Sequence, residues 1–211
     1  MNAQALFGER LLAFNLLPSR TLHPTRHAHY GAPARPVPAA MAPAWHRIWS
    51  RDILRRLELH DRPMNDVGRP ELPLALLPPD RLARLVRYAG AALCAPRMRH
   101  AIAGSEVRRL SADLGADVLD FARQSAPVPA QLAAVADDSP LSASALDRWG
   151  YATLMGAMAG GGPELALRVE LKLPDGATGE PSSDATACLA MTLDILKLTE
   201  PTWHSSFLAM R

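Results

Sequence analysis

Lysine is nearly missing from this chain, and cysteine and aromatic residues are scarce. Of its 23 basic residues only Lys172 and Lys197 are lysine, the rest being arginine. Set against 21 acidic residues they leave a formal net charge of +2, too near neutral for charge alone to hold a nucleic acid. Aromatic side chains make up 5% of the sequence and do not interleave with the arginines, so base-stacking platforms are lacking too. No nucleic-acid partner is therefore expected. The two cysteines, Cys94 and Cys188, lie far apart, which excludes a disulfide scaffold and a clustered thiolate metal site. Both fall on apolar helical faces and are expected to be buried and reduced. No stretch is long and apolar enough to span a bilayer. The start, MNAQALFGERLLAFNLLPSR, lacks a basic n-region and a small-residue cleavage site. A cytoplasmic chain with a core of Leu, Ala, Val, Ile and Met is the expectation.

What the sequence does have is helical period. It is most sustained from Pro78 to Gln124, where Leu82, Leu85, Val86, Ala89, Leu93, Met98 and Ile102 recur at helical spacing. Arg81, Arg84, Arg87, Arg97, Arg99, Arg108 and Arg109 fall elsewhere and define a basic face. Asp80 is placed to cap the first helix, and Pro96 must break the segment because it cannot donate to the helical ladder. A third piece begins at Ser105 and carries Val107, Leu110, Leu114, Val118 and Phe121 on one side.

The flanks follow the same logic. Residues 3–17 read as a short amphipathic helix stopped by Pro18, with Leu6, Phe7, Leu11, Phe14 and Leu17 on one side. Residues 27–43 form a Pro- and Ala-rich loop. Trp45, Ile48, Trp49, Ile53, Leu54 and Leu57 give the next helix face. Five prolines between Asp61 and Pro79 mark a connector whose Leu72, Leu74, Leu76 and Leu77 pack inward. A second connector spans 125–140, with a short helix at 131–136. Ser142 or Ser144 caps a helix bearing Leu146, Trp149, Leu154 and Met158, ended by Gly160, Gly161, Gly162 and Pro163. Residues 165–173, in which Leu167, Val169, Leu171 and Leu173 alternate with Arg168, Glu170 and Lys172, predict a strand, although no second strand of this quality is visible. Asp184 opens a last helix with Leu189, Leu193, Leu196 and Leu198 inward, and Pro201 stops it before an apolar tail. The expected fold is mainly α: a single helical domain over residues 1–211 with one short β segment, or a two-stranded ribbon, near its C-terminal third.

Chemistry is hard to find. His23, His27 and His29 approach metal-ligand spacing, but Pro24 and Gly31 disrupt a helical register and no carboxylate or cysteine completes a set. Asp113, Asp117 and Asp120 share a helical side, where ion pairs with Arg109 and Arg123 explain them better than acid–base work. The triple glycine lacks the Lys-Ser/Thr of a phosphate loop and follows a helix. No catalytic, cofactor-binding or metal residue is nominated, and no cofactor is expected.

Three segments resemble one family, the SctK (YscK-like) proteins of type III secretion systems. Phe14-Asn-Leu-Leu-Pro18-Ser-Arg-Thr-Leu22-His23-Pro24 is similar to that family's opening pattern. Gly90-Ala-Ala-Leu93-Cys-Ala-Pro-Arg-Met98-Arg99-His-Ala-Ile102 is similar to its middle helices. Leu165 to Pro174, with Ile195 through Pro201 to Phe207, resembles its closing strand and C-terminal helix. The 27–43 insert and Pro96 depart from the pattern. The resemblance implies a helical, non-enzymatic adaptor of the injectisome sorting platform, in the bacterial cytoplasm at the inner-membrane base. It implies as partners the pod protein SctQ and the cytoplasmic domain of the inner-ring protein SctD, and indirectly the stator SctL and the ATPase SctN. An adaptor needs two surfaces. Arg97, Arg99 and Arg108 are the candidates for steering onto an acidic partner; Leu22, His23, Trp203 and Phe207 are the candidates for a more apolar one, unless Leu22, Trp203 and Phe207 are core. The competing expectation is a helical type III secretion chaperone or regulator that binds export substrates, which predicts a homodimer with a long apolar groove.

Overall fold

The computed structural model describes residues 3–33, 35–100, 104–124, 132, 140–177 and 184–208. Among them it has helices α1 (Ala3–Leu16), α2 (Ala42–Arg56), α3 (Leu72–Ala75), α4 (Pro79–Leu93), α5 (Ala95–His100) and α6 (Gly104–Leu114). These are followed by α7 (Ala116–Gln124), α8 (Ala143–Met158), α9 (Pro163–Glu170), α10 (Ala185–Thr199) and α11 (Pro201–Leu208). There is no β-strand among the described residues.

The core is built on α4 and α8, which pack along each other while α10 covers both and α7 lies on α4. Small residues let the two backbones meet. A Cβ added at Gly90 would lie 2.6 Å from the carbonyl carbon of Leu146, and one at Gly150 would lie 2.7 Å from that of Val86. The contact is reciprocal, each helix offering a glycine to the other's main chain. Arg87 of α4 then locks the pair by gripping Asp147 of α8 bidentately, Nε to Oδ1 at 2.7 Å and Nη2 to Oδ2 at 2.5 Å. Leu82, Met98, Leu110, Leu146, Leu154 and Met158 are all fully buried around this crossing.

The segment expected as a strand, residues 165–173, is α9 and the turn after it. Gly162 at φ +88° and Pro163 in the first helical turn set the start, since glycine takes that φ freely and proline's missing N–H costs nothing there. The buried positions are Leu165, Arg168, Val169, Leu171, Lys172 and Leu173, and within the helix they step by three and four. Two of the six are charged, which breaks the apolar helical stripe and leaves an apparent alternation. The short β segment or ribbon is therefore excluded.

Those buried cations act as staples. Lys172 Nζ donates to the carbonyls of Ala75 and Leu77 at 2.6 and 3.0 Å, at the end of α3 where helical carbonyls lack partners. Arg168 Nη2 donates to the Leu59 carbonyl at 3.1 Å. Arg26 closes on the same C-terminal end of α9, with Nε on the Leu173 carbonyl at 2.9 Å and Nη2 on Glu170 Oε1 at 3.1 Å. The N-terminal third is thus fastened to α9 through backbone carbonyls, around a second small core of Leu22, Tyr30, Trp49, Ile53 and Leu171.

Several local expectations shift. Proline opens α4 as well as α9: Pro79 occupies its first turn, and Asp80 makes no capping hydrogen bond. Pro201 starts α11 instead of leaving a tail. The segment from Ser105 is two helices, parted at Gly115 with φ +95°. Ser142 and Asp184 do cap α8 and α10, accepting from Ala145 N at 3.2 Å and Ala187 N at 2.9 Å. Leu198 is exposed, whereas Cys188, Met191 and Ile195 carry the buried face of α10. The short helix expected at 131–136 lies outside the described residues except for Leu132, which is helical and buried.

Candidate docking surfaces

The central basic face is largely neutralised. Arg81 pairs with Glu200 at 3.1 Å, Arg84 with Asp117 at 3.3 Å, and Arg87 with Asp147 as above. Asp117 also accepts from the Tyr88 hydroxyl at 2.9 Å, and that hydrogen bond holds its carboxyl below the ordinary range against the opposing effect of burial. Asp113 accepts from the Ala143 N–H at the start of α8. Asp113 and Asp117 therefore serve inter-helix contacts, and neither is ion-paired with Arg109 or Arg123 among the described residues.

Of the named steering residues, Arg99 and Arg108 are exposed on α5 and α6, and Arg97 is half-buried. They flank Met98 and Leu110, whose side chains are fully buried and fix the two helices against the core. The candidates for an apolar surface point inward. Leu22 belongs to the second core. Trp203 and Phe207 belong to the main one, where Phe207 meets Phe7 edge-on at 5.3 Å and Trp203 Nε1 donates to the Pro73 carbonyl at 2.8 Å. Replacing Trp203 by Phe strands that carbonyl and is expected to cost about 1–2 kcal/mol, read as a lowered urea midpoint at unchanged slope. His23 is half-buried and local: its Nδ1 takes the Thr25 N–H at 3.3 Å, and burial, then Arg26 and His27, push its pKa below 6.5. His27 and His29 rest on Trp49 and Tyr30, and among the described residues no three potential ligands gather as a metal set.

A surface that the sequence reading did not single out lies on α2. Arg47, Arg51 and Arg55 follow one another at four-residue intervals, all exposed, and no residue of α2 enters an ion pair among the described residues. Between them Ile48 is 48% exposed. On the flank of the helix, Trp45 and Trp49 floor an open groove of about 450 Å³ walled by Pro33, Arg35, Pro36 and Val37. Trp49 Nε1 donates to the Tyr30 carbonyl at 2.6 Å, but Trp45 Nε1 is shielded from solvent and meets no acceptor among the described residues. The four-residue Arg spacing was visible in the sequence.

No helix among the described residues is long and apolar enough to cross a membrane. Neither a curated protein nor a solved structure matches the chain. A family model does match, that of YOP proteins translocation protein K (YscK), over residues 18–209. That span takes in α2 to α11, so the chain belongs to the YscK, or SctK, family of type III secretion system proteins.

Proposed function

We propose that the protein is a non-enzymatic adaptor of the injectisome sorting platform, held in the cytoplasm at the inner-membrane base. In this reading it links the cytoplasmic domain of SctD to the pod protein SctQ, and through the pod to the stator SctL and the ATPase SctN. The observation that carries the reading is the family match along residues 18–209. The physical build supports it: a close-packed glycine crossing, the bidentate Arg87–Asp147 pair and buried staples make a stiff body, which is what a linker between two partners needs.

Affinity capture of the tagged protein from its own host, read by mass spectrometry, is the test. Recovery of SctQ, SctL and SctD supports the adaptor. Recovery of export substrates alone, with a dimeric mass on size exclusion, supports the chaperone instead. In the adaptor reading Arg97, Arg99 and Arg108 steer an acidic partner, since basic patches raise encounter rates in a salt-dependent way. Reversing Arg99 and Arg108 to Glu is expected to weaken capture by about tenfold at physiological salt while the thermal melt holds. Undiminished capture by this double variant removes these residues from the interface.

A further inference from the structure

We propose that the outward face of α2 is a second docking surface, and that its occupant is an acidic protein surface. The proposal rests on the adaptor reading, which requires two surfaces. It deepens that reading by naming residues outside α5 and α6.

Three independent features agree on the chemistry of the occupant. The first is unmatched charge. Arg47, Arg51 and Arg55 stand about 6 Å apart along the helix, one turn each. Like charges four apart are mildly destabilising to a helix, and Asp52, the lone acid of α2, pairs with none of them. Arg81, also exposed, is by contrast paired across helices with Glu200. Arg55 gains from its place at the helix C-terminus, where cations suit the macrodipole, but Arg47 and Arg51 sit too far from that end. The second feature is the groove beside the stripe, whose lining includes Arg35, His27 and His46 and contains no carboxylate. The third is the exposed Ile48, set among the arginines as an apolar contact point. A surface presenting carboxylates at one-turn spacing around an apolar residue matches all three.

The face is also placed to act separately from α5 and α6. α2 packs on the 310 turn Pro18–Arg20 and on α1, whereas α5 packs on α7 and α4. One adaptor body therefore presents two basic surfaces, one from each of its cores.

The test uses the full chain with the purified SctD cytoplasmic domain and purified SctQ as separate probes, in titration calorimetry at two salt concentrations. Arg47→Glu with Arg51→Glu is the variant, since neither side chain packs inside and Arg55 keeps its helix-end role. The expected result is a loss of about tenfold or more in affinity for one probe, a shallower salt dependence for that probe, and an unchanged thermal melt. Equal affinity of variant and wild type for both probes overturns the α2 surface and leaves the adaptor standing. A parallel fall in the melting temperature overturns it too, by making the arginines structural. Wild type binding neither probe overturns the adaptor reading and this inference with it. Sedimentation of the wild type, but not the variant, with phosphatidylglycerol vesicles, alongside full protein binding, assigns the stripe to a membrane instead.

Discussion

Substituting Gly150 by alanine is expected to destabilise the protein by about 3 kcal/mol or more, although alanine is the better helix former by about 1 kcal/mol. The sign follows from what the methyl group meets. At Gly150 it lands against the Val86 main chain, 2.9 Å from Val86 Cγ1, and at Gly90 against that of Leu146, 2.9 Å from its Cα. Backbone in the middle of a helix cannot swing aside as a long side chain can, so α4 and α8 must separate. Separation loosens the Arg87–Asp147 clamp and opens a gap through the core. Gly90→Ala is expected to cost a similar amount, and the double variant less than the sum, because both act on one interface. Gly8→Ala in α1 is the control: nothing lies within 4 Å of its added Cβ, so it is expected to be neutral or to gain up to about 1 kcal/mol. Urea denaturation of the three single variants is the measurement. A mild effect at Gly150 matching that at Gly8 contradicts the close crossing.

The other large effect concerns Lys172 and depends on pH. Burial, and next the charge of Arg10, lower its pKa from 10.5 to about 7. The folded protein thus releases this proton before the unfolded chain does. Below about pH 7 both states hold the proton, and the fold bears the whole cost of a buried charge. As pH rises from about 7 towards 10.5 the unfolded state binds more protons than the folded one, so stability climbs. The interval corresponds to about 5 kcal/mol as an order of magnitude. A neutral amine still has two N–H groups for the two carbonyls it caps, those of Ala75 and Leu77. Lys172→Met abolishes this pH dependence but leaves both carbonyls without that donor, at about 1–3 kcal/mol each. The two melting curves are therefore expected to converge or cross, the variant gaining on wild type towards acid and losing towards alkali. Thermal melts from about pH 6 to about pH 10 test it, and parallel curves refute a neutral buried Lys172.

Most of the helices, and the breaks at Pro18 and Pro96, were legible in the sequence because apolar period and proline act locally. Two local rules misled. Proline was read as a stop at Pro201, where it opens a helix, since its missing N–H is harmless in a first turn. Charge was read as outward at Arg168 and Lys172, where carbonyl partners make burial tolerable. That second reading turned α9 into an apparent strand. The steering arginines were legible as a type and less so as an address. Arg81, Arg84 and Arg87 find carboxylates on distant segments, whereas Arg47, Arg51 and Arg55 find none among the described residues.

By itself the sequence determined the helical character and the family resemblance at three segments, because both are written in residue type and short-range spacing. Only the tertiary structure decided which cations are free, which are paired and which are buried as staples. A charge's free energy depends on what lies within a few ångströms of it, and here those neighbours come from up to about 150 positions away in the chain.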